Sequence, residues 1–535
     1  MNLLTQPWLR VQRRNGSICW IAPADLTSDY ANNPVVTPAY FRADLDSAAH
    51  QFLIGLLQTV NLLQTPEDLQ QFLENPPSTE ELQQRFQPIE KAFNITGEGY
   101  KFMQEDSPRV RESAVNSIAT LLLETPGNQT QKQNKDILVK RGKLPTMGLE
   151  AAAMCLFSLQ MSCASGGVGH RVTLRGGGPL VTLLQFGNSD QQRPLWDNLL
   201  LNVLDVENYP DFEWDQQSSL QSVFPWMGPV RSSEKTGGLQ TTHLDVHPLQ
   251  MYWAMPRRIL LMVDEAGGDC TMTGTAASHL VQSYYQAPWG VNYVGNWEHP
   301  LSPTQLIKDE RYTIHLQPEG LSFRRFAGLI LRDSQGTRQP ALVIQNMQRQ
   351  YQEYYFEDLH SLSVWACGYD LDNMKCRGLH STYRMPFIAV EPEIAAQLSE
   401  LADKLIDCFD AGASSLLIAF KQAHVNAGNV RLLLSRKIEP LFYETLLQNQ
   451  KLLEANAGAD ELMEAKESWL KDLIKEVLTL FEKRALLETV SQSHLGSVYR
   501  AYNGLRRAIY GANLRSRLGL PKKVKAETTQ QETVQ

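Results

Sequence analysis

The sequence predicts an α+β protein, with a large mixed N-terminal domain over residues 1–387 and a C-terminal four-helix bundle over residues 388–520. Three observations carry this. The chain has 535 residues, more than one hydrophobic core ordinarily supports. Up to Pro386 it mixes short β-rich runs with amphipathic stretches. Beyond Pro386 the apolar residues fall into helical spacing.

Residues 17–22, 171–175, 180–186, 258–263, 311–316 and 341–345 are rich in β-branched and aromatic side chains and bounded by Gly, Pro or Asn, the signature of strands. Their spacing is irregular and shows no repeat, so neither a doubly wound sheet nor a propeller fits. Two stretches read as exposed loops: residues 125–143, polar and basic, and residues 224–240, dense in Pro, Gly and Ser. In the C-terminal region Ile394, Leu398, Leu401, Leu405, Phe409, Leu416 and Phe420 recur at helical intervals after Pro392, a favourable helix-start residue. Further helices are expected at about 439–454, 461–485 and 497–516, and their short connections predict a bundle. Residues 521–535 have too few apolar side chains to pack and are expected to be disordered.

Charge and cysteine usage narrow the function classes. Against 58 acidic residues there are 50 basic ones, a net charge of -8, which is not the basic footprint of a nucleic-acid-binding domain. Any contact with nucleic acid must come from local patches. One such patch stands out. Between Ser497 and Lys525 lie Arg500, Arg506, Arg507, Arg515, Arg517, Lys522, Lys523 and Lys525, with no Asp or Glu. It reads either as a surface for the phosphate backbone or as a face docked on an acidic partner or on the protein's own acidic surface. The seven cysteines form no C-x-x-C pair and suit isolated thiols in a reducing compartment. The N-terminus lacks a signal-peptide core and no run is long enough to span a bilayer. A cytoplasmic protein without a membrane partner is expected.

Signatures of catalysis are missing. No Walker loop, nucleophile elbow, H-E-x-x-H or kinase signature occurs. His243 and His247 have helix-compatible metal spacing but no third ligand nearby, and Cys270 stands alone. No tight acidic cluster suggests a two-metal nuclease. No metal, no cofactor and no enzymatic activity are therefore expected. The competing readings are a nuclease or hydrolase whose site is assembled from scattered residues, and a pure protein scaffold.

Two segments are candidates for contact with a ligand. Residues 165–179 hold Gly166, Gly167 and Gly169, then Gly176, Gly177 and Gly178 after a short expected strand. They read either as a pair of tight turns or as backbone pressed against phosphate, sugar or a base edge, since glycine permits close approach. Residues 366–380 read as an exposed loop with Asp370, Asp372 and Asn373 as turn formers. At its tip Met374 and Lys375 pair an apolar side chain with a cation, the composition of a wedge between base steps. The other reading tucks Met374 back into the core.

Several segments, taken in order, resemble the CasA large subunit of the type I-E CRISPR Cascade complex. They are MNLLTQPWLRVQRRNG (1–16), YKFMQ (100–104), TLRGGGPLVTLL (173–184), LLLNVL (199–204), WEHPLSP (297–303) and GYDLDNMK (368–375), with the helical C-terminus completing the match over residues 1 to about 520. The resemblance implies a non-catalytic subunit of an RNA-guided antiviral complex, in which the guide reads the sequence and the protein reads a short motif. Its implied partners are the CRISPR guide RNA, double-stranded target DNA, the backbone, small and guide-end subunits, and a helicase–nuclease recruited on target binding. Its implied tasks are recognition of the protospacer-adjacent motif (PAM) from the minor groove, strand separation and R-loop formation.

By this resemblance Gly166, Gly167, Val168 and Gly169, in the loop from Ser165, approach the motif. Asn373, Met374 and Lys375 form the wedge. Lys140, Arg141 and Lys143, in a loop spanning roughly residues 129–146, meet the guide's 5′ end and the motif region. The basic helix tracks displaced or target DNA. Two departures matter. Some members place a lysine finger shortly before the segment matching WEHPLSP, yet residues 283–300 contain no lysine, which leaves the motif's bases open. Some members also carry a cysteine-rich zinc site there, where this chain has only Cys270.

Overall fold

The computed structural model describes residues 1–125, 132, 142–187, 193–215, 219–316, 320–353, 362–372, 375–487 and 495–521. They divide into two units. The first is Met1–Leu321 with Gly328–Ile330 and Thr337–Ala389, and the second is Ser322–Ala327 with Leu331–Gly336 and Val390–Gln535. The first mixes helix and sheet and the second is helical, as the α+β expectation requires.

In the first unit, short strands build several small sheets. β1 (Leu9–Arg13) lies between β2 (Ile18–Ile21) and β3 (Val35–Pro38). β4 (Ala114–Ser117), β5 (Met147–Gly148) and β7 (Arg258–Asp264) all pair with β10 (Leu280–Ala287). β8 (Gly268–Asp269) pairs with β9 (Ala276–Ala277), and β11 (Thr304–Ile307) lies between β12 (Glu310–Thr313) and β13 (Arg338–Gln339). The sheet that matters most for the site orders β15 (Lys375–Pro386), β14 (Leu362–Asp372) and β6 (Val181–Phe186), all antiparallel.

Two helices, α1 (Ala43–Thr59) and α2 (Leu149–Ser162), pack against each other and are buried on nearly every side, the property of helices inside a core rather than on its surface. Phe52 of α1 sits among Trp8, Phe93, Phe102, Phe157 and Trp253, with ring centroids 5.0 to 6.0 Å away and each ring nearly perpendicular to its own. Edge-to-face contacts of this kind add to the burial of aromatic area. Gly55, one turn on, is needed because a Cβ there would lie 3.1 Å from Tyr252 Cβ.

In the second unit α4 (Pro392–Gln422) packs against α5 (Val430–Glu454), α6 (Ala459–Phe481), α7 (Leu495–Tyr510) and α8 (Ala512–Arg517). Leu398, Leu405, Phe409, Leu416 and Phe420 of α4 are buried, as their spacing requires. Phe323 inserts between Phe409 and Phe442, with centroids 5.1 and 4.8 Å away. Among the described residues no helix is long and apolar enough to cross a membrane.

Several expectations are corrected. Residues 171–175 are not a strand: they run irregularly between two glycine turns, and Thr173 N–H donates to the Cys163 carbonyl instead of a ladder. Residues 341–345 open α3 (Leu342–Glu353), because Val343, Ile344, Met347 and Gln350 share a buried helical face after Pro340. The expected strand 311–316 ends at Thr313. The helix expected at 439–454 starts at Val430, and Pro440 is accommodated inside it. The one expected at 461–485 gives way after Phe481 to a wider turn over Glu482–Leu487. The one expected at 497–516 breaks at Gly511, which caps α8. Residues 366–372 and 375–380 are not an exposed loop but lie in two paired antiparallel strands. Residues 522–535 lie outside the described residues.

Truncating Phe52 to alanine should destabilise the first unit by about 3–5 kcal/mol, read as a drop in the denaturant midpoint. A loss below about 1 kcal/mol would show that the aromatic cluster is not its centre.

Candidate nucleic-acid interface

Gly166 N–H donates to the His170 carbonyl at 3.0 Å and His170 N–H donates to the Gly167 carbonyl at 3.2 Å. These bonds close a turn whose tip, Gly167 and Val168, faces solvent. Val168 is 76% exposed, unusual for an apolar side chain. The glycines differ in purpose. At Gly167, φ +94°, a Cβ would meet nothing within 4 Å, so its glycine serves conformation alone. At Gly169, φ +76°, a Cβ would lie 2.7 Å from Pro288 Cβ and 2.9 Å from Trp289 N. At Gly166 it would lie 2.9 Å from the Arg257 guanidinium.

Trp289 supports this turn from the opposite strand end. Its N–H donates to the Gly169 carbonyl at 2.7 Å and its carbonyl accepts from Ser233 N–H at 3.2 Å. It holds φ +68°, a strained conformation for a bulky residue that persists only where its surroundings enforce it. Arg171 completes the clamp: Nε donates to Ser233 Oγ at 2.7 Å and the guanidinium lies 5.5 Å from the Trp289 ring centre. Gln286 bonds the His170 ring at 2.8 Å. Burial, then the Arg257 charge, pushes the His170 imidazole below its ordinary pKa.

The second glycine group is a joint. A Cβ at Gly176 would lie 2.7 Å from the His315 ring, one at Gly177 2.7 Å from Ala164, and one at Gly178 2.9 Å from Tyr369 Cβ. Gly177 and Gly178 also meet Leu371. Ala164 precedes the exposed turn, and Tyr369 and Leu371 lie in β14, so one joint fixes both the turn and the hairpin. The hairpin is anchored further by Tyr369 Oη, which donates to Asp44 Oδ2 of α1 at 2.5 Å. Asp370, expected to form a turn, is instead buried and bonded by Arg377 at 2.7 and 3.1 Å. Lys375 is exposed at the start of β15, while Asn373 and Met374 lie outside the described residues. Lys140 and Arg141 lie outside them too, and Lys143 is exposed.

In the second unit the five arginines of the basic segment separate into two groups. Arg500, Arg506 and Arg507 are exposed on α7. Arg515 is buried, pairs with Glu467 and donates to the Pro521 carbonyl at 2.7 Å. Arg517 pairs with Asp407 at 2.5 Å. Those two are neutralised by the unit's own acids, so Arg515 and Arg517 both drop out of the expected surface patch.

The expected poor prospects of the histidine pair are explained by His247, whose Nδ1 accepts from Leu249 N–H at 3.1 Å while Nε2 meets the Glu213 carbonyl at 2.9 Å. Both ring nitrogens are thus engaged in capping. Among the described residues no three His, Cys, Asp or Glu side chains converge on a common point.

Sequence reasoning missed Arg171, Arg257, Trp289, Tyr499 and Tyr510. Only the run of tyrosines beside arginines on one expected helix was a readable signal. The clamp depends on contacts between residues more than 50 positions apart.

A mixed α+β body followed by a helical unit is also the fold of solved CRISPR-associated proteins. The chain is similar to Thermus thermophilus CasA (Cse1), with a TM-score of 0.67 and 15% identity over 95% of this chain and 99% of that one. It is similar to Thermobifida fusca Cse1, with a TM-score of 0.68 and 13% identity over 97% and 98% of the two chains. A chain of a CRISPR RNA-guided surveillance complex matches with a TM-score of 0.65 and 15% identity over 95% and 99%. No curated protein sequence matches. The family model for CRISPR-associated protein Cse1 matches residues 2–480. The chain belongs to that family, the one its sequence motifs resemble.

Gly169→Ala should cost about 1–3 kcal/mol through strain and the clash with Trp289, whereas Gly167→Ala should cost only about 1 kcal/mol for its left-handed backbone. Equal shifts in thermal midpoint for the two variants would contradict this assignment. Because the folded state holds His170 neutral, its contribution is present above the ordinary imidazole pKa and is lost as pH falls through and below it. Protection of the Gly166 and His170 amides from hydrogen exchange should therefore fall between about pH 7 and pH 5. A His170→Gln variant should lose that dependence.

Proposed function

We propose that the chain is the non-catalytic large subunit of a type I-E RNA-guided surveillance complex, cytoplasmic, assembled with a CRISPR guide RNA and with backbone, small and guide-end subunits. The observation that carries the reading is the exposed Gly167–Val168 turn, clamped by Trp289 and Arg171 within a Cse1-family fold. An unobstructed backbone tip on a rigid mount is suited to enter a groove that a side chain would block. On this reading Gly166, Gly167, Val168 and Gly169 meet the PAM of double-stranded DNA. Asn373, Met374 and Lys375, at the end of a hairpin fixed by the same joint, wedge the duplex open and start the R-loop. Lys140, Arg141 and Lys143 meet the guide end, and Arg500, Arg506 and Arg507 of the helical unit meet DNA phosphates. The helicase–nuclease that this subunit recruits supplies the cutting.

Co-expression with sibling subunits tests the role directly. The chain should co-purify with them and with guide RNA, and metal-dependent turnover by the isolated chain would favour an enzyme instead. In the assembled complex, Gly167→Phe should abolish discrimination between targets with good and bad motifs without preventing assembly. Retained discrimination would make the glycines turns and nothing more. Met374→Ala with Lys375→Ala should impair strand opening, followed by permanganate reactivity, more than initial duplex association. Unchanged opening would refute the wedge.

A further inference from the structure

The sequence of α7 places its residues in stripes. Val498, Ala501, Leu505 and Ile509 are buried. The adjoining stripe carries Tyr499, Tyr502, Arg506 and Tyr510, and the next carries Arg500, Asn503 and Arg507. Tyr499 is 56% exposed and Tyr510 57% exposed, although burying an aromatic ring is worth more than almost any other side chain offers. The Arg506 guanidinium lies 5.9 Å from the ring centres of both Tyr502 and Tyr510. Tyr502 donates its hydroxyl to Glu482, the acid that borders the stripe. Tyr510 also lines a cavity of about 530 Å³ with Leu470, Ile474, Lys471 and Lys475 of α6, where Glu467 and Glu482 are the acids, the first paired with Arg515 and the second bonded by Tyr502.

We infer that this face of α7 is a stacking platform for single-stranded nucleic acid, with unpaired bases on the Tyr499 and Tyr510 rings and phosphates on Arg500, Arg506 and Arg507. The inference rests on the proposed DNA-binding role and sharpens it. A basic helix alone would suit any phosphate backbone, paired or not. Exposed aromatic faces are useless to a duplex, whose bases already stack on one another, and valuable to a strand whose bases are free. Charge favours this occupant over a protein: Leu495–Tyr510 contains arginines and no acid, in a chain whose net charge is -8. Tyr499 and Tyr510 are eleven residues apart, about 16 Å along the axis at 1.5 Å per residue. Two separate bases on one strand would occupy them.

The test uses the full chain, a fluorescein-labelled oligothymidylate strand and a labelled duplex, titrated over a range of salt. Tyr499→Ala with Tyr510→Ala should weaken single-strand binding by about tenfold or more while leaving duplex affinity and the salt slope unchanged, and the Tyr→Phe pair should restore it. Arg500→Ala with Arg507→Ala should weaken both ligands and reduce the salt slope by about one to two units. If only the arginine pair matters, the platform is refuted and the DNA-binding role stands. If neither pair matters for either ligand, the helix is not a nucleic-acid surface, and loss of a sibling subunit on co-purification of the tyrosine variant would mark it as a protein interface.

Discussion

A side chain on Gly177 would stand in the space of Ala164, one on Gly176 in that of His315, and one on Gly178 in that of Tyr369. Three consecutive backbones approach three separate parts of the first unit too closely for any Cβ. Two exposed parts of the candidate interface in the first unit hang from this joint: the turn at Gly166–Gly169 on one side, the β14–β15 hairpin on the other. The joint also carries a destabilising group. Arg175, immediately before it, is almost wholly buried with only neutral acceptors, Gln51 at 2.7 Å and Ser302 at 3.2 Å, and burial pushes its pKa down to about 9. A buried cation without a carboxylate costs several kcal/mol. Its side chain ties the segment to α1 and to the loop before β11, so registration of the glycines is bound to the core itself.

The charge distribution follows a similar logic of selective use. An acidic chain repels nucleic acid at long range, so an attractive surface needs cations freed from the protein's own carboxylates. Arg515 and Arg517 are taken up by Glu467 and Asp407 and hold α8 in place. Arg500 and Arg507 remain exposed, and the Arg506 guanidinium lies 5.9 Å from the ring centres of both Tyr502 and Tyr510. Of the alternatives that the basic segment left open, docking on the protein's own acids holds for Arg515 and Arg517, while the α7 half keeps its cations for a phosphate backbone or an acidic partner.

This split shows where reading the sequence succeeds and where it stops. Helical periodicity after Pro392 placed the long C-terminal helices because each one buries a continuous stripe, which is a local property. It missed the break at Gly511, since one glycine in a helical pattern is tolerated as often as it interrupts. The strand expected at 171–175 had the right residue types, but Thr173 and Arg175 are claimed by partners elsewhere. The helix at Leu342–Glu353 overrode a strand-like run of five containing Val343 and Ile344 because its later positions, Met347 and Gln350, complete a buried face. At the candidate site the glycines were legible and their division of labour was not. Whether a glycine serves conformation, as at Gly167, or close packing, as at Gly169, depends on Pro288 and Trp289, over a hundred residues away.

The same division governs how the proposed reader discriminates. The tip offers the backbone of Gly167 and Val168 and one apolar side chain. It has no bidentate donor and no charge of its own, so it is poorly equipped to favour one base strongly. Trp289, strained and bonded on both sides, keeps the tip from adapting. A rigid, weakly attractive tip selects by exclusion, since a groove whose floor or width does not admit it leaves backbone groups desolvated and unpaired. On the proposed reading, such a device would reject many wrong motifs and tolerate several right ones. Residues 283–300 contain no lysine, and the side chain they bring beside the turn is the Trp289 ring, 5.5 Å from the Arg171 guanidinium.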